Sequence, residues 1–300
     1  MSVLVVGSVA LDTVYTPNGN VVDSLGGSAS FFSMAARHFA PVQLVAVVGE
    51  DFPQEHIDLL GKHEVNLEGL EKAPGETFRW SGRYSEGYVT RETLDTQLNV
   101  FASFHPKIPA TYADSKFVFL ANIDPTLQND VLDQVKDPQL VVLDTMNFWI
   151  SGARAELDRI ISRVDILLLN DEEAQQLTGK AQLSTAAQEI LAMGPKVVII
   201  KKGEHGSMLL TKDWAFLASA YPVENLIDPT GAGDTFAGGF LGYLATQKDF
   251  LSRESLRQAA VYGTIMASFT VEAFSLERLT QATPTVVDAR VKAFREMTEF

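Results

Sequence analysis

The sequence contains no cysteine. Disulfide bonds, zinc sites built on thiolates and cysteine nucleophiles are therefore excluded. This absence fits a cytoplasmic protein, and we expect that location. Long apolar runs are also missing, since no stretch approaches the ~20 residues that cross a bilayer. The opening residues, MSVLVVGSVALD, indicate a first strand rather than a signal peptide, because they have neither a basic start nor a cleavage pattern. We expect no membrane partner.

Positive charge is scarce, with 24 Lys and Arg against 38 Asp and Glu and a formal net charge of −14. Nucleic-acid binding depends on neutralising phosphates, so we expect no nucleic-acid partner. The overall field would also repel small anions. A phosphate-bearing ligand would therefore need local devices, such as backbone N–H groups, a helix N-terminus or a metal. The five histidines show no metal-ligand spacing.

Two common nucleotide-binding motifs are absent. The chain has no G-x-x-x-x-G-K-[ST] loop, and its first strand is followed by GSVAL rather than by G-x-G-x-x-G. These absences argue against a Walker-type ATPase and against a nicotinamide dehydrogenase.

Short apolar runs rich in β-branched residues alternate with segments of helical spacing. Strands are predicted at Val3–Val6, Gln43–Val48, Phe117–Leu120, Leu140–Leu143, Ile166–Leu169 and Val197–Lys201. Helices are predicted at Ser28–Phe39, Gln54–Lys62, Thr126–Val135, Arg154–Ser162, Glu172–Leu177, Thr185–Met193, Gly231–Thr246, Ser252–Glu272 and Val286–Met297. Most of these strands are too apolar to have one face exposed to solvent. Such strands between helices predict an α/β fold with a doubly wound, mainly parallel sheet.

The interval from about 74 to 109 breaks this alternation. It mixes Thr, Tyr, Val and Trp with polar residues and turns, which indicates an antiparallel ribbon outside the main sheet, joined by residues 12–25. We expect one domain over residues 1–300, with these two segments forming a small β-sheet lid. The ribbon is also a candidate surface for pairing two copies of the chain.

Residues 228–240 read DPTGAGDTFAGGF. A helix starting near Gly231 would present unpaired N–H groups and the positive end of its dipole. Side chains as small as those of Gly231, Ala232 and Gly233 let an anion approach the backbone. Asp234 in the same turn could accept a proton from a hydroxyl that attacks a bound phosphoryl group. A bare GAGD fits equally well a plain glycine-rich helix start.

The full string resembles the C-terminal signature of the ribokinase-like carbohydrate kinases, also called the phosphofructokinase-B type family. Other landmarks follow in that family's order and cover nearly the whole chain: VGSVALD at 6–12, GGSA at 26–29, VGED at 48–51, NDEE at 170–173 and KGEHG at 202–206. The resemblance implies a three-layer α/β/α fold and an ATP-dependent kinase that uses Mg²⁺.

At the acceptor end, the resemblance implies that Asp12 holds substrate hydroxyls and that Gly26 and Gly27 bring backbone close to the substrate. An ordinary turn would suit all three residues as well. The chain departs from the family at Phe31, where many members have an asparagine. Phe31 is a candidate substrate-binding residue that stacks on a base or a sugar face, and its alternative is a core position. Phe32 we assign to the core.

At the phosphoryl end, the resemblance assigns the catalytic base to Asp234 and the anion hole to the N–H groups of Gly231, Ala232 and Gly233. Gly233 also belongs to the implied nucleotide site.

The rest of the implied nucleotide site lies in two other motifs. Asn170 and Glu173 would organise Mg²⁺ and phosphates, Glu173 through water, although the pair also suits a helix capping box. The loop with Lys202, Gly203 and Gly206 would contact the nucleotide.

Two further positions have open roles. Asp228 and Thr230 match positions that bind a monovalent cation such as K⁺ in some relatives, although Asp228 also suits the turn before Pro229. Lys201 and Lys202 replace more neutral residues and are interpreted as solvated.

The sequence therefore predicts an ATP-dependent kinase acting on a hydroxyl of a small sugar or sugar-like molecule. A nucleoside kinase of the adenosine type is the alternative, which Phe31, Trp80 and Tyr84 keep open because aromatic rings stack on bases. A non-catalytic sensor of nucleotide or sugar is a further alternative, but it would be expected to lack Asp234 or the glycines.

Overall fold

A computed structural model describes residues 1–299. Its strands are β1 (Val3–Val6), β2 (Ala10–Thr16), β3 (Gly19–Gly26), β4 (Val42–Val48), β5 (Val65–Lys72), β6 (Arg79–Tyr84), β7 (Arg91–Gln97), β8 (Phe117–Leu120), β9 (Leu140–Asp144), β10 (Ile166–Asn170), β11 (Val197–Lys201), β12 (Ser207–Thr211) and β13 (Ala215–Ala218). Its α-helices are α1 (Ser28–Ala36), α2 (Gln54–Lys62), α3 (Pro125–Gln134), α4 (Asn147–Gly152), α5 (Arg154–Ile161), α6 (Asp171–Thr178), α7 (Leu183–Ala192), α8 (Ala232–Leu244), α9 (Arg253–Thr270), α10 (Glu277–Gln281) and α11 (Pro284–Thr298).

The main sheet has nine strands in the order β13-β12-β11-β10-β9-β8-β1-β4-β5. All neighbours from β11 to β5 pair in parallel, and β12 and β13 add an antiparallel edge. The predicted doubly wound, mainly parallel sheet is confirmed. The carboxyl ends of the parallel strands meet at one edge, which is where such sheets bind ligands.

Two apolar cores cover the two faces of this sheet. On one face, α1, α8 and α9 pack against Val3, Val5 and their neighbours. On the other face, α3, α5, α6 and α7 pack against Leu4, Val6 and their neighbours. Successive side chains of β1 therefore enter opposite cores, which explains why the central strands of this sheet are almost continuously apolar. The result is a three-layer α/β/α body.

A second sheet of four strands, in the order β3-β2-β6-β7, lies apart from the body and is called the lid sheet here. Its two hairpins, β2–β3 and β6–β7, are antiparallel as predicted, but β2 and β6 pair in parallel. The lid sheet is built from residues 10–26 and 79–97. Residues 99–103 form a 3₁₀ turn instead, with Val100 buried in the body core, so the predicted segment 74–109 extends past the sheet at both ends.

None of the helices that the structure describes in residues 1–299 is both long and apolar enough to span a bilayer.

Candidate active site

Helix α8 begins in a left-handed turn at the carboxyl edge of the main sheet. Gly231 caps it with a φ of 76°, a conformation that glycine adopts without strain. A Cβ on Gly231 would lie 2.3 Å from the ring of Phe31, so no side chain fits there. The Ala232 N–H donates to the carbonyl of Pro229 at 3.2 Å, whereas within residues 1–299 no acceptor meets the N–H of Gly231 or Gly233. Two of the three predicted anion-hole donors are therefore free.

Asp234 occupies the first turn of α8, as predicted. Burial, reinforced by the nearby carboxylate of Asp144, raises the pKa of Asp234 to about 7, while Lys201 and, more weakly, Arg91 oppose that rise. A carboxyl group that titrates near neutral pH is suited to accept a proton from a hydroxyl.

Three neighbouring parallel strands end beside Asp234. Asp144 is the last residue of β9, Asn170 of β10 and Lys201 of β11, and Asn170 and Lys201 are paired in register. The Lys201 ammonium donates to Asp144 Oδ2 at 3.0 Å, and the two side chains are only 16% and 6% exposed. The interpretation of Lys201 as solvated is therefore wrong. Sequence reasoning missed Asp144, because its pairing with Lys201 depends on two strands that are distant in sequence.

Asn170 and Glu173 form the predicted capping box. Asn170 Oδ1 accepts from the Glu173 N–H at 2.8 Å, and Glu173 Oε2 accepts from the Asn170 N–H at 2.7 Å. Burial raises the pKa of Glu173 to about 7, against the nearby ammonium of Lys201. Within residues 1–299, no group of three or more His, Cys, Asp or Glu residues could hold a metal alone. The predicted role of Asn170 and Glu173 in organising Mg²⁺ and phosphates stays a prediction.

The predicted nucleotide loop follows Lys201 directly. It is a tight turn between β11 and β12, in which the Lys202 N–H donates to the Gly206 carbonyl at 2.8 Å. Gly203 and Gly206 have φ of 53° and 80°. A Cβ on Gly206 would lie 2.0 Å from the carbonyl of Ala218, whereas the Cβ position of Gly203 is open. Nucleotide binding by Lys202, Gly203 and Gly206 stays a prediction.

At the acceptor end, Asp12 lies on β2 with 7% of its surface exposed. Burial, reinforced by the carboxylate of Asp228, raises its pKa to about 7. A Cβ on Gly26 would lie 2.0 Å from Asp12 Oδ2, so the missing side chain makes room for that carboxylate. Gly27, with a φ of 91°, starts α1 where a Cβ would lie 2.5 Å from the Ser8 carbonyl.

Asp228 and Thr230 lie in the segment that precedes α8. The Asp228 carboxylate is buried and accepts from the Thr230 N–H at 2.9 Å. No Lys, Arg or His side chain within residues 1–299 forms an ion pair with it. A buried carboxylate without a cationic partner is compatible with the predicted monovalent cation, which stays a prediction.

The lid sheet contacts this same segment. The hydroxyls of Tyr84 and Thr230 are 3.2 Å apart, and the Tyr88 hydroxyl lies 3.0 Å and 2.9 Å from the carbonyls of Leu226 and Ile227. The lid therefore rests on the chain that leads into the glycine turn.

Phe31 and Phe32 are both buried in α1. Phe32 stacks on Phe119 with ring centroids 4.2 Å apart, which confirms it as a core residue. Phe31 is 2% exposed and its ring lies against Gly231. Its predicted contact with substrate stays untested, and its observed contact is with the turn that starts α8.

The three lid arginines differ in their surroundings. Arg79 forms ion pairs with Asp23 and Asp51, and Arg83 lies over the ring of Tyr15. Arg91 is exposed and lies over the ring of Trp80, 5.7 Å from its centroid. Arg79 is therefore already neutralised, whereas Arg91 lies close enough to Asp234 and Glu173 to lower the pKa of both carboxyl groups.

The comparisons with known proteins agree with this geometry. Residues 2–281 match the model of the pfkB family carbohydrate kinases. The chain belongs to this family. It is 33% identical over 250 residues to a cytidine kinase of Thermococcus kodakarensis, covering 81% of this chain and 88% of the relative. It is 26% identical over 256 residues to a nucleoside kinase of Methanothermobacter thermautotrophicus, covering 82% and 78%.

Solved structures share the pfkB-family fold along the whole chain. The nucleoside kinase of Methanocaldococcus jannaschii, an archaeal member of the ribokinase family, superposes with a TM-score of 0.79 at 21% identity, covering 97% of this chain and 98% of that one. The aminoimidazole riboside kinase of Salmonella enterica, complexed with aminoimidazole riboside and an ATP analogue, has a TM-score of 0.77 at 18% identity, with coverages of 97% and 100%.

This pfkB-family member is an ATP-dependent phosphotransferase whose acceptor is a hydroxyl group of a sugar or a nucleoside. The prediction of a ribokinase-like kinase is confirmed.

Proposed function

We propose that the protein is a nucleoside kinase that transfers the γ-phosphoryl group of ATP to a ribose hydroxyl of a nucleoside. Asp12 would hold the ribose, Asp234 would act as the base, and the start of α8 would hold the transferred group. The sugar kinase predicted first is the competing candidate.

The observation that carries this proposal is the pairing of Asp12 with Trp80. The parallel register of β2 and β6 places these residues side by side, so their side chains share one face of the lid sheet. Gly82 lies two residues along the same strand, and a Cβ there would lie 2.2 Å from the Trp80 ring. The indole lies over Gly82, and the Arg91 guanidinium, 5.7 Å from the centroid of the Trp80 ring, would move aside when a base stacks there. A carboxylate for hydroxyl groups beside a large aromatic face is the pair of contacts that a ribose with an attached base needs.

The inner face of the lid sheet is the face concerned. Tyr84 lies four residues after Trp80 along β6, so the two side chains are on the same face of the strand. The Tyr84 hydroxyl lies 3.2 Å from the Thr230 hydroxyl of the body. Trp80, which is half-buried, therefore also points towards the body. The cytidine kinase and nucleoside kinase among the relatives support the same acceptor class.

Local charge disfavours an anionic acceptor. The pKa of Asp12 is raised first by burial and then by the nearby carboxylate of Asp228. The salt bridges of Arg79 remove it as a free cation. A phosphosugar or sugar acid would bring another negative charge next to two carboxylates, whereas a nucleoside or free sugar would not.

In the proposed reaction, the acceptor oxygen forms a bond to the γ-phosphorus, the bond to the β-phosphate oxygen breaks, and ADP leaves. Asp234 takes the hydroxyl proton as the acceptor attacks. The free N–H groups of Gly231 and Gly233 hold the charge on the transferred group. Glu173, through water, would hold Mg²⁺, which neutralises phosphate charge when it is bound.

Several further assignments belong to this proposal. Asn170 and the loop of Lys202, Gly203 and Gly206 would bind the nucleotide. Asp228 and Thr230 would bind K⁺. We also propose a cytoplasmic location and pairing of two copies through the lid sheet.

The test is a coupled ADP-release assay with cytidine, inosine, adenosine, ribose and myo-inositol, on wild type and Trp80→Ala. Base–aromatic stacking is worth ~1–3 kcal/mol, so we expect kcat/KM for the best nucleoside to fall roughly 5- to 150-fold. Activity on ribose should hardly change, and Trp80→Phe should recover part of the loss. Trp214→Ala, which removes a tryptophan from the β12–β13 turn, is the matched control. Wild-type preference for ribose or inositol over every nucleoside would favour the sugar kinase.

A further inference from the structure

Lys201 is a mostly buried lysine beside the start of α8. It ends β11 and is held by Asp144 from the end of β9. Its Nζ atom lies 3.0 Å from the place where a Cβ on Gly233 would be. Gly233 carries one of the two free N–H groups at the start of α8. The lysine therefore reaches the side of the anion hole that faces the sheet.

The donors of Lys201 are not all used. An ammonium group has three N–H donors, and within residues 1–299 Lys201 Nζ makes one hydrogen bond, to Asp144 Oδ2. Unpaired donors on a buried charged group are costly unless a ligand accepts from them. The glycine at position 233 leaves the ammonium open on that side, since any larger side chain would meet it at 3.0 Å.

The negative charge of the carboxylates around Lys201 also requires a nearby cation to balance it. Asp144, Glu173 and Asp234 all lie close enough to Lys201 to raise its pKa, which outweighs the opposing effect of its burial. The lysine is therefore protonated throughout the working pH range. Without it, the phosphates of ATP would enter a site that contains the carboxylates of Asp144, Glu173 and Asp234.

We propose that Lys201 is a catalytic residue that donates hydrogen bonds to the transferred phosphoryl group beside Gly233, and that Asp144 is the positioning residue that holds its ammonium there. Lys201 neither gains nor loses a proton in the reaction. It counters the negative charge that the phosphoryl oxygens carry in the transition state. The proposal rests on the kinase activity and not on the identity of the acceptor.

The test compares Lys201→Met with Lys196→Met. Lys196 lies directly before the start of the same strand, at the opposite end from Lys201, and pairs with Asp165 at 2.7 Å. It is a matched control for the loss of a lysine that holds an aspartate. Removing a donor to transition-state charge typically lowers kcat ~10²–10³-fold, and we expect that loss for Lys201→Met. Lys196→Met should keep wild-type kcat. A Lys201→Met enzyme with kcat within about threefold of wild type would overturn the proposal.

Calorimetric titration with AMP-PNP and with ADP separates catalysis from mere structural support. If Lys201 contacts the transferred group, Lys201→Met should weaken AMP-PNP binding at least about tenfold more than ADP binding. Equal weakening of both nucleotides, together with a lower Tm, would assign Lys201 a structural role only. If Lys201→Met does not fold, the kcat of Lys201→Arg tests the proposal instead. It keeps the charge but moves the donors, so unchanged kcat in that variant would contradict the proposal.

The pH profile of kcat gives a third readout. Asp234 is faced by Asp144 of β9, Lys201 of β11, Arg91 of β7 and Asp12 of β2. Lys201 lowers the pKa of Asp234, so Lys201→Met should move the acid limb of the profile to higher pH. Asp144 raises that pKa, so Asp144→Asn should move the limb to lower pH while kcat falls as the ammonium loses its anchor. Shifts in the same direction for both variants would contradict the arrangement.

Discussion

The two ends of the active site are built in different ways. The phosphoryl end consists of strand ends and a helix start that the body core holds in place: β8, β9 and the first four residues of both β10 and β11 are fully buried. The acceptor end lies on the lid sheet, whose outer strand β7 is exposed at every residue. The phosphoryl end is fixed by packing on both faces of the main sheet, whereas the acceptor end is supported on one face of the lid sheet only.

This difference separates the chemistry from the choice of substrate. Moving Asp234 or Gly231 would require repacking α8 against α1 and α9, where Phe236 and Phe240 are buried. Changing Trp80 would disturb one half-exposed sheet. A fold arranged in this way can keep one phosphoryl-transfer apparatus while the lid surface adapts to different acceptors.

The largest effect should come from Asp234→Asn, which removes the base and leaves the backbone of the glycine turn intact. General-base catalysis is typically worth ~10²–10⁴ in rate, so we expect kcat to fall by at least that factor. Affinity for ATP should stay the same or improve slightly, because a negative charge leaves the phosphate site. Steady-state kinetics with nucleotide titration would check both. Normal turnover would remove Asp234 from the mechanism and favour a plain helix start.

A smaller loss is expected for Gly231→Ala, tested against Gly179→Ala. Both glycines are left-handed, with φ of 76° and 70°, so both substitutions strain the backbone. Only at Gly231 does the new Cβ also meet a neighbour, the ring of Phe31, whereas Gly179 has open space. We expect kcat to fall about 10- to 100-fold for Gly231→Ala only, while both variants lose some thermal stability. Equal kcat in the two variants would mean that the glycine turn is not a precise part of the phosphoryl end.

The smallest effect should come from Tyr88→Phe, which removes the hydroxyl that reaches the carbonyls of Leu226 and Ile227 and also accepts from the Asn18 amide at 3.2 Å. A single hydrogen bond contributes about 0.5–1.5 kcal/mol, so KM for the acceptor should rise roughly two- to tenfold with kcat little changed. Amide hydrogen exchange in β6 and β7 should also become faster. Tyr15→Phe, on an exposed ring of the same sheet, is the control. Unchanged exchange in Tyr88→Phe would show that this contact does not hold the lid.

The sequence predicts the buried strands of the body better than the strands at the edges of the main sheet. Strands β1, β8 and β11 were predicted with the observed bounds, because buried parallel strands are continuous apolar runs. Strands β5, β12 and β13 were not predicted. In β5 polar residues alternate with apolar ones, and β12 and β13 form a short hairpin at the sheet edge.

The site was predictable where its geometry is local in sequence. The turn at Gly231 and the capping box of Asn170 and Glu173 each lie within a few residues. Partners brought together across strands, such as Asp144 and Lys201, were missed because nothing in either segment specifies the other. The parallel pairing of Asp12 with Trp80 was missed for the same reason.

The parallel pairing of β2 and β6 has a consequence for how the protein folds. Each lid hairpin is local in sequence, but the surface that carries Asp12 and Trp80 exists only after two hairpins from distant parts of the chain have joined. Contacts of such long sequence separation form late, because the intervening chain must first lose its freedom. The segment between them includes β4 and β5 of the main sheet. We therefore expect Asp12 and Trp80 to come together only after this intervening segment has folded, so that a folding intermediate could hold both hairpins without yet having the surface that binds the acceptor.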